Sequence, residues 1–321
     1  RDLQLNHYLN KFTNQKIMKK YHLGILFILI TFITSCGVSK KAALTHEKIS
    51  LARRTISQDS LLLDSLESKM ERQVANRSID SSVANNIQTI IEKLQNDLKN
   101  IEETVNAADL IAQNKANLRE KKYYHYANNY LSKIDSFHLK ESYRERVYEL
   151  LNEAVSVDAF RKYQMGAFFK PGAYKIPYSA SKVVEEHFKP VIDSIINRSN
   201  KYADITCRVH IVLVGYADAL SFSPNTPLYA LLKSYTREEN PEKGLLNLVL
   251  SNLRANELLY HIKMLVKENA TRFKSYNNLN IGYVAYGRGE ALPFPNITDY
   301  QVDDERRRVV VFYWSVLPDL G

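Results

Sequence analysis

The sequence predicts an α+β fold, in which a helical N-terminal region precedes a domain of alternating strands and helices. Residues 40–160 contain no proline and no glycine, the two residues that most disfavour the interior of a helix. From Gly166 onward, short runs rich in valine, isoleucine and aromatic residues alternate with amphipathic stretches in the order β-α-β-α-β-β. This order predicts a mixed sheet with helices on one face.

In the helical region, apolar residues at alternating steps of four and three predict a helix with one apolar seam. Polar residues at 76–82, which favour helix ends, predict a turn before this helix, and a weaker apolar pattern precedes the turn. Residues 37–160 are therefore expected to form a helical stalk, either a hairpin or an oligomeric coiled coil. The seam consists of Ile87, Ile91, Leu94, Leu98, Ile101, Val105 and Ala108.

The C-terminal domain is expected over residues 161–321, and its elements follow from local patterns. Apolar residues on one face predict a helix that begins at Ser179 or Ser181, and Pro190 is expected to kink it. Alternating apolar and polar residues, or runs of β-branched residues, predict the strands. The remaining expected elements are a strand over 167–177 broken by a turn, strands over 208–214, 280–285 and 307–314, and a helix over 248–266.

The first 36 residues predict a secretion signal that ends in a lipid anchor. A cationic stretch at 18–20 precedes an apolar run at 23–33, which is shorter than the roughly 20 residues needed to cross a bilayer. Residues 33–36 (ITSC) resemble a bacterial lipobox, in which Cys36 would be acylated, for example with palmitate, and become the first mature residue. Residues 1–17 would lie upstream of a natural start at Met18. The alternative is a plain secretion signal with an incidental cysteine.

Charge and cysteine content disfavour several classes of protein. The net charge is +9, but residues 1–36 carry +4 of it, so the basic character is weak evidence for nucleic-acid binding. Cys207 lies in a strand pattern and is expected to be a buried, inert thiol. We expect no metal site, no cofactor and no enzymatic activity, because no nucleophile and base are suitably arranged.

Four short motifs resemble those of one known family. Residues 212–218 (VLVGYAD) resemble its strand that ends in Gly, an aromatic residue, a small residue and Asp. Residues 247–255 (NLVLSNLRA) match its N-x-x-L-S-x-x-R-A helix start. Residues 286–293 (YGRGEALP) resemble its G-x-G-E-x-x-P turn, and residues 307–309 (RRV) resemble the start of its last strand. The chain thus resembles the OmpA-like peptidoglycan-binding domains over residues 161–321.

The resemblance implies a site for the diaminopimelate residue of a peptidoglycan stem peptide. Asp218 would accept hydrogen bonds from its ammonium group, and the planar guanidinium of Arg254 would hold its carboxylate with two parallel hydrogen bonds. This hypothesis requires the two side chains to face each other across a shallow groove that solvent reaches. Further site residues implied by the motifs are Asn247, Leu250, Ser251 and Arg307.

The chain departs from the family pattern between the Asp and Asn motifs. Residues 222–246 form an insertion that carries Pro224, Pro227 and Pro241. Long connections of this kind are often functional. The insertion is expected to cover the groove, contact a partner or extend into solvent, and the sequence does not choose among these.

The expected function is that of an outer-membrane lipoprotein that faces the periplasm and binds peptidoglycan non-covalently through its C-terminal domain. The alternative is an envelope scaffold that keeps the fold without binding the wall, and that contacts a partner protein or a second copy through the coiled coil or the 222–246 insertion.

Overall fold

The structure is a computed structural model that describes residues 37–76, 79–113, 121–156, 163–164, 169, 172–274, 276, 279–294 and 297–320. The expected signal segment and Cys36 lie outside the described residues, as do residues 167–168 and 170–171 of the expected strand over 167–177. Its described residues, 169 and 172–177, do not form a strand, so that expectation is wrong for them. Among the helices of the described part, none combines the length and apolarity required to cross a membrane.

The described residues form seven α-helices, two 3-10 helices and four strands, which confirms the α+β class. The strands are β1 (Tyr163–Gln164), β2 (Cys207–Gly215), β3 (Asn280–Gly287) and β4 (Val310–Pro318). The 3-10 helices span Ala270–Arg272 and Glu305–Arg307. The α-helices are α1 (Gly37–Ala75), α2 (Ser81–Gln113), α3 (Lys121–Leu139), α4 (Glu141–Ala154), α5 (Tyr178–Lys201), α6 (Pro227–Ser234) and α7 (Lys243–Glu268).

The four strands form one mixed sheet in the order β1-β4-β2-β3. Strands β2 and β3 are parallel, whereas β4 runs antiparallel to both of its neighbours, β1 and β2. Every residue of β4 is buried. A strand without exposed residues must be covered on both faces of the sheet.

Helices cover both faces of the sheet, so the expectation of helices on one face is wrong. Successive side chains of a strand point to opposite faces. Gly215 of β2 lies against Ser251 of α7. His210, which points to the other face, approaches Asn86 of α2 with 3.3 Å between its Nδ1 and the Asn86 Nδ2. The continuous apolar run of β4 was the sequence signal for cover on both faces.

The helical region divides between two compact units of the chain. The first contains the described residues up to Ser57 together with Lys99–Leu139, and in it Arg53 of α1 pairs with Asp109 of α2 at 2.7 Å. The second contains Gln58–Leu98 and the chain from Lys140 onward. There, Gln88 of α2 donates a hydrogen bond to Glu67 of α1 at 2.9 Å.

These contacts correspond to the hairpin alternative, because α1 and α2 pair within one chain. The predicted seam is buried except for Ile101, which is half-buried. The predicted boundary at residue 160 falls inside the second unit. Helix α4 packs on β4, and its Arg146 donates to the backbone oxygen of Lys201 and to Asp204. The sheet is thus stabilised by helices that precede it by up to about a hundred residues.

Asp80 connects the start of α2 to the sheet. Its Oδ1 accepts hydrogen bonds from the backbone N–H and the hydroxyl of Ser82, and its Oδ2 accepts one from the hydroxyl of Tyr286 in β3. The carboxylate is 4% exposed. We expect Asp80→Ala to lower the free energy of unfolding by about 2–4 kcal/mol, because it removes a helix cap and the buried carboxylate that accepts from Tyr286 and pairs with Arg288.

Urea denaturation of the full-length chain measures this loss. Asp64→Ala is the matched control, since Asp64 is an exposed residue of α1 in the same unit and its loss should change stability by less than about 0.5 kcal/mol. Equal unfolding midpoints for the two variants would contradict the role given to Asp80.

Helix α5 contains Pro190 and continues through it as one element. One local expectation, the start of the last strand, needs correction. The last strand begins at Val310 and not at Arg307, because Asp304 accepts a hydrogen bond from the Arg306 backbone N–H and closes a 3-10 turn over Glu305–Arg307. The 222–246 insertion contains helix α6, which Thr226 caps.

Candidate functional site

The chain after β2 carries Asp218 into a fixed position beside two other loops. The backbone N–H of Tyr216 donates to Val309 at 2.8 Å, and that of Ala217 donates to Gly289 at 2.8 Å. These bonds connect the end of β2 to the start of β4 and to the turn after β3. The motifs at 212–218, 286–293 and 307–309 therefore meet at one end of the sheet.

Two glycines allow α7 to approach this end of the sheet closely. A Cβ atom on Gly215 would lie 2.0 Å from the backbone oxygen of Ser251, and one on Gly287 would lie 2.2 Å from the Ser251 Oγ. The same Oγ accepts a hydrogen bond from the Gly289 N–H at 2.9 Å and donates one to the Leu248 oxygen. Ser251, which was expected to shape the site, packs α7 against the strand ends and has no exposed surface.

Asp218 forms an ion pair that the sequence analysis missed. Its Oδ2 lies 3.0 Å from Nη1 of Arg308, which also donates to the Asp303 backbone oxygen at 2.8 Å. Asp218 is 5% exposed. Arg308 stands in the same R-R-V motif as Arg307.

Arg254 is the largest fully buried side chain among the described residues. Its Nε donates to the Ala173 backbone oxygen at 2.9 Å, and its Nη1 donates to that of Tyr216 at 3.3 Å. Its Nη2 is buried and has no hydrogen-bond partner among the described residues. The guanidinium carbon lies 5.6 Å from the centre of the Phe169 ring.

Electrostatics connect Arg254 to the Asp218–Arg308 pair. Burial lowers the pKa of Arg254 to about 10, while the charge of Asp218 opposes this shift and that of Arg308 adds to it. The guanidinium remains charged at neutral pH. The cluster of these three side chains thus holds two positive charges and one negative charge, an imbalance that favours a further carboxylate.

The structure therefore brings Asp218 and Arg254 together but does not leave them open to solvent. Both side chains are buried, so the expectation of a groove that solvent reaches is wrong for this structure. Two internal contacts account for this burial. The Ala173 backbone covers the Arg254 guanidinium, and Arg308 forms an ion pair with Asp218.

The other predicted site residues hold the surrounding loops. Asn247 donates its amide to the Leu220 oxygen at 3.2 Å and to Glu290 at 2.8 Å. It does not cap α7, which begins at Lys243. Arg307 donates to the backbone oxygens of Glu290 at 2.7 Å and Gln301 at 3.3 Å. All of these contacts are internal.

Leu250 belongs to an apolar cluster that joins α7 to the insertion. Its buried members are Ala217, Leu232, Leu246 and Leu250, and Tyr174 and Leu228 are among the half-buried residues that pack against it. The insertion therefore packs over the site rather than extending into solvent. Of the three arrangements that the sequence allows for the insertion, this corresponds to cover of the site.

Metal and thiol chemistry have no candidate residues in the described ranges. No group of three or more His, Cys, Asp or Glu side chains there is arranged to hold a metal ion. Cys207 is buried, and burial raises the pKa of its thiol to about 11, so it is a core residue as predicted. Burial also lowers the pKa of His210.

Comparisons with known proteins add no assignment to this geometry. No protein-family model matches the chain, and no curated protein matches it either.

Proposed function

We propose that the chain is a non-enzymatic envelope lipoprotein that binds the diaminopimelate of peptidoglycan stem peptides and links a membrane to the cell wall. The observation that carries this proposal is the buried guanidinium of Arg254, beside Asp218, with its Nη2 unpartnered among the described residues. A guanidinium that lacks one partner is a strong hydrogen-bond donor to a ligand carboxylate. The four motifs over residues 212–309 that resemble OmpA-like domains also support the proposal.

Binding would replace internal contacts with charged ones. A ligand carboxylate would take the place of the Ala173 oxygen on Arg254, and a ligand ammonium would compete with Arg308 for Asp218. Because existing bonds must break first, each site would bind weakly. Many stem peptides on one wall and a lipid at Cys36 would raise the effective affinity by confining the protein near its ligand.

The location proposed is the outer membrane, with the chain facing the periplasm and acylated at Cys36. The lipobox-like residues 33–36 support this part of the proposal. The two-helix arrangement of α1 and α2 would then follow directly after the lipid.

A scaffold without wall binding is the second candidate, and the burial of the site favours it. Asp218, Asn247, Arg254 and Arg307 all have internal partners and little or no exposed surface. Such a protein would contact an envelope partner through its helices or through the 222–246 insertion.

Sedimentation with purified peptidoglycan separates the two candidates. We expect the full-length chain to sediment with the wall and to release no soluble fragments from it. Arg254→Lys should weaken this binding by about tenfold or more, because lysine keeps the charge and loses the two-pronged geometry. Arg306→Lys is the matched control, since Arg306 is exposed and its side chain contacts Asp299, Asp304 and the Tyr300 ring, none of which is a proposed site residue.

The full-length chain is the appropriate sample, because the unit that contains the sheet also includes residues 58–98 and 140–154. Circular dichroism confirms that each variant is folded before binding is compared. Failure of the unmodified chain to sediment would reject wall binding and favour the scaffold. Equal binding by Arg254→Lys and the unmodified chain would reject the site.

A further inference from the structure

Residues 172–176, here called the cover segment, lie across the buried guanidinium. The Ala173 oxygen accepts the hydrogen bond from Arg254 Nε at 2.9 Å. Ile176 is buried, and its backbone N–H donates to Glu257 of α7 at 3.2 Å. The Ala173 carbonyl is a neutral acceptor on a charged donor. It therefore occupies a position that a carboxylate would fill more strongly.

Helix α6 of the insertion holds the cover segment in this position. Gly172 has a backbone φ of +71°, and a Cβ atom added to it would lie 3.2 Å from Leu228 of α6. Tyr174 packs against the apolar cluster that includes Leu232 of α6 and Leu250 of α7. The cover segment is thus enclosed between α6 and α7.

The attachment of α6 itself is slight. The helix has eight residues, of which only Leu232 is fully buried. Helices this short are not stable alone in water, and elements with few buried side chains open at a low free-energy cost. Tyr235, which ends the helix, is 61% exposed. Helix α6 can therefore leave the site without disruption of the sheet.

We propose that α6 is a latch that keeps the cover segment over Arg254, so that the stem peptide binds only after α6 and the cover segment move away together. This inference rests on the proposed function and adds the regulation of the same site. In the closed state the Ala173 oxygen takes the place of the ligand carboxylate. Affinity is then reduced by the fraction of molecules that are closed.

Two substitutions that weaken the closed state test the latch. Leu228→Ala removes the α6 side chain that contacts Gly172, and Gly172→Ala places a side chain at a positive φ and against Leu228. We expect each to raise the affinity of the full-length chain for a synthetic diaminopimelate-containing tripeptide by about 3- to 30-fold. Calorimetric titration of each chain with the tripeptide, in mild detergent, measures this affinity.

Leu61→Ala is the control, because Leu61 is a 67% exposed leucine of α1 in the same unit and should leave the affinity unchanged. Equal tripeptide binding by the unmodified chain and both weakened variants would overturn the latch and leave the proposed function standing. Absence of binding by all of them would overturn both. Tighter binding by Leu228→Ala and Gly172→Ala alone supports the latch.

Amide hydrogen exchange gives a second readout that does not depend on a substitution. A ligand usually slows exchange where it binds. If the latch opens on binding, saturating tripeptide should instead speed exchange at the Ile176 amide and at the amides of residues 228–234 of α6, while the β2 amides keep their protection. Slower or unchanged exchange at Ile176 and in α6 would overturn the latch.

Discussion

Replacement of Gly215 by alanine is expected to lower the free energy of unfolding by about 3–5 kcal/mol. The added Cβ would lie 2.0 Å from the Ser251 oxygen and 2.9 Å from its carbonyl carbon. Both are backbone atoms of α7, so relief requires the helix to move away from the sheet, and overpacking of this kind is among the most destabilising changes. The Ser251 hydrogen bond to Gly289 would break with that movement.

Gly244→Ala is the matched control for this prediction. Gly244 lies in the first turn of the same helix, and nothing stands within 4 Å of an added Cβ there. Alanine favours the helix by up to about 1 kcal/mol over glycine, so this variant should be slightly more stable than the unmodified chain. Urea unfolding midpoints compare the two. A Gly215→Ala midpoint at or above that of the unmodified chain would contradict the close approach of α7.

Asp218→Ala is expected to lower the free energy of unfolding by about 3 kcal/mol. The substitution leaves the guanidinium groups of Arg308 and Arg254 in a largely buried cluster without their shared carboxylate. Loss of one partner from a buried pair is costly, because the remaining charge is neither hydrated nor compensated. Alanine variants of this cluster are for that reason poor probes of ligand binding.

The double variant Asp218→Ala/Arg308→Leu tests the cause of this loss. Removal of Arg308 takes away one uncompensated charge, so the double variant should be more stable than Asp218→Ala alone by about 1–2 kcal/mol. Urea denaturation of the two single variants and the double variant completes the cycle. If the losses in unfolding free energy of the two single variants add up to the loss of the double variant, Asp218 and Arg308 are not coupled.

The elements were predictable where packing follows local periodicity. The seam from Ile87 to Ala108 repeats every three or four residues, and α2 has the expected buried face. The runs in β2 and β4 have strand length and β-branched composition, and both are strands. These signals depend only on neighbours in the sequence, so they survive in any tertiary context.

The residues of the site could be predicted from the sequence, but their burial could not. Asp218 follows the end of β2, and Arg254 lies on α7, which packs closely against that end of the sheet. The burial of Arg254 depends on Ala173, which is 81 residues away in the sequence. A backbone oxygen has no sequence signal. The Ala173 contact with Arg254 was therefore invisible before the fold was known.

The position of β4 in the sheet has a consequence for the order in which the chain acquires its structure. Although β4 is the last described strand along the sequence, it lies between β1 and β2 and pairs with both. As the chain is synthesised from its N-terminus, β1 and β2 emerge long before the strand that joins them. Contacts between such distant segments form slowly, and the sheet can be completed only after residue 318 has been synthesised. Until then the Asp218 carboxylate has no Arg308 beside it, and the nascent chain cannot yet contain the closed site.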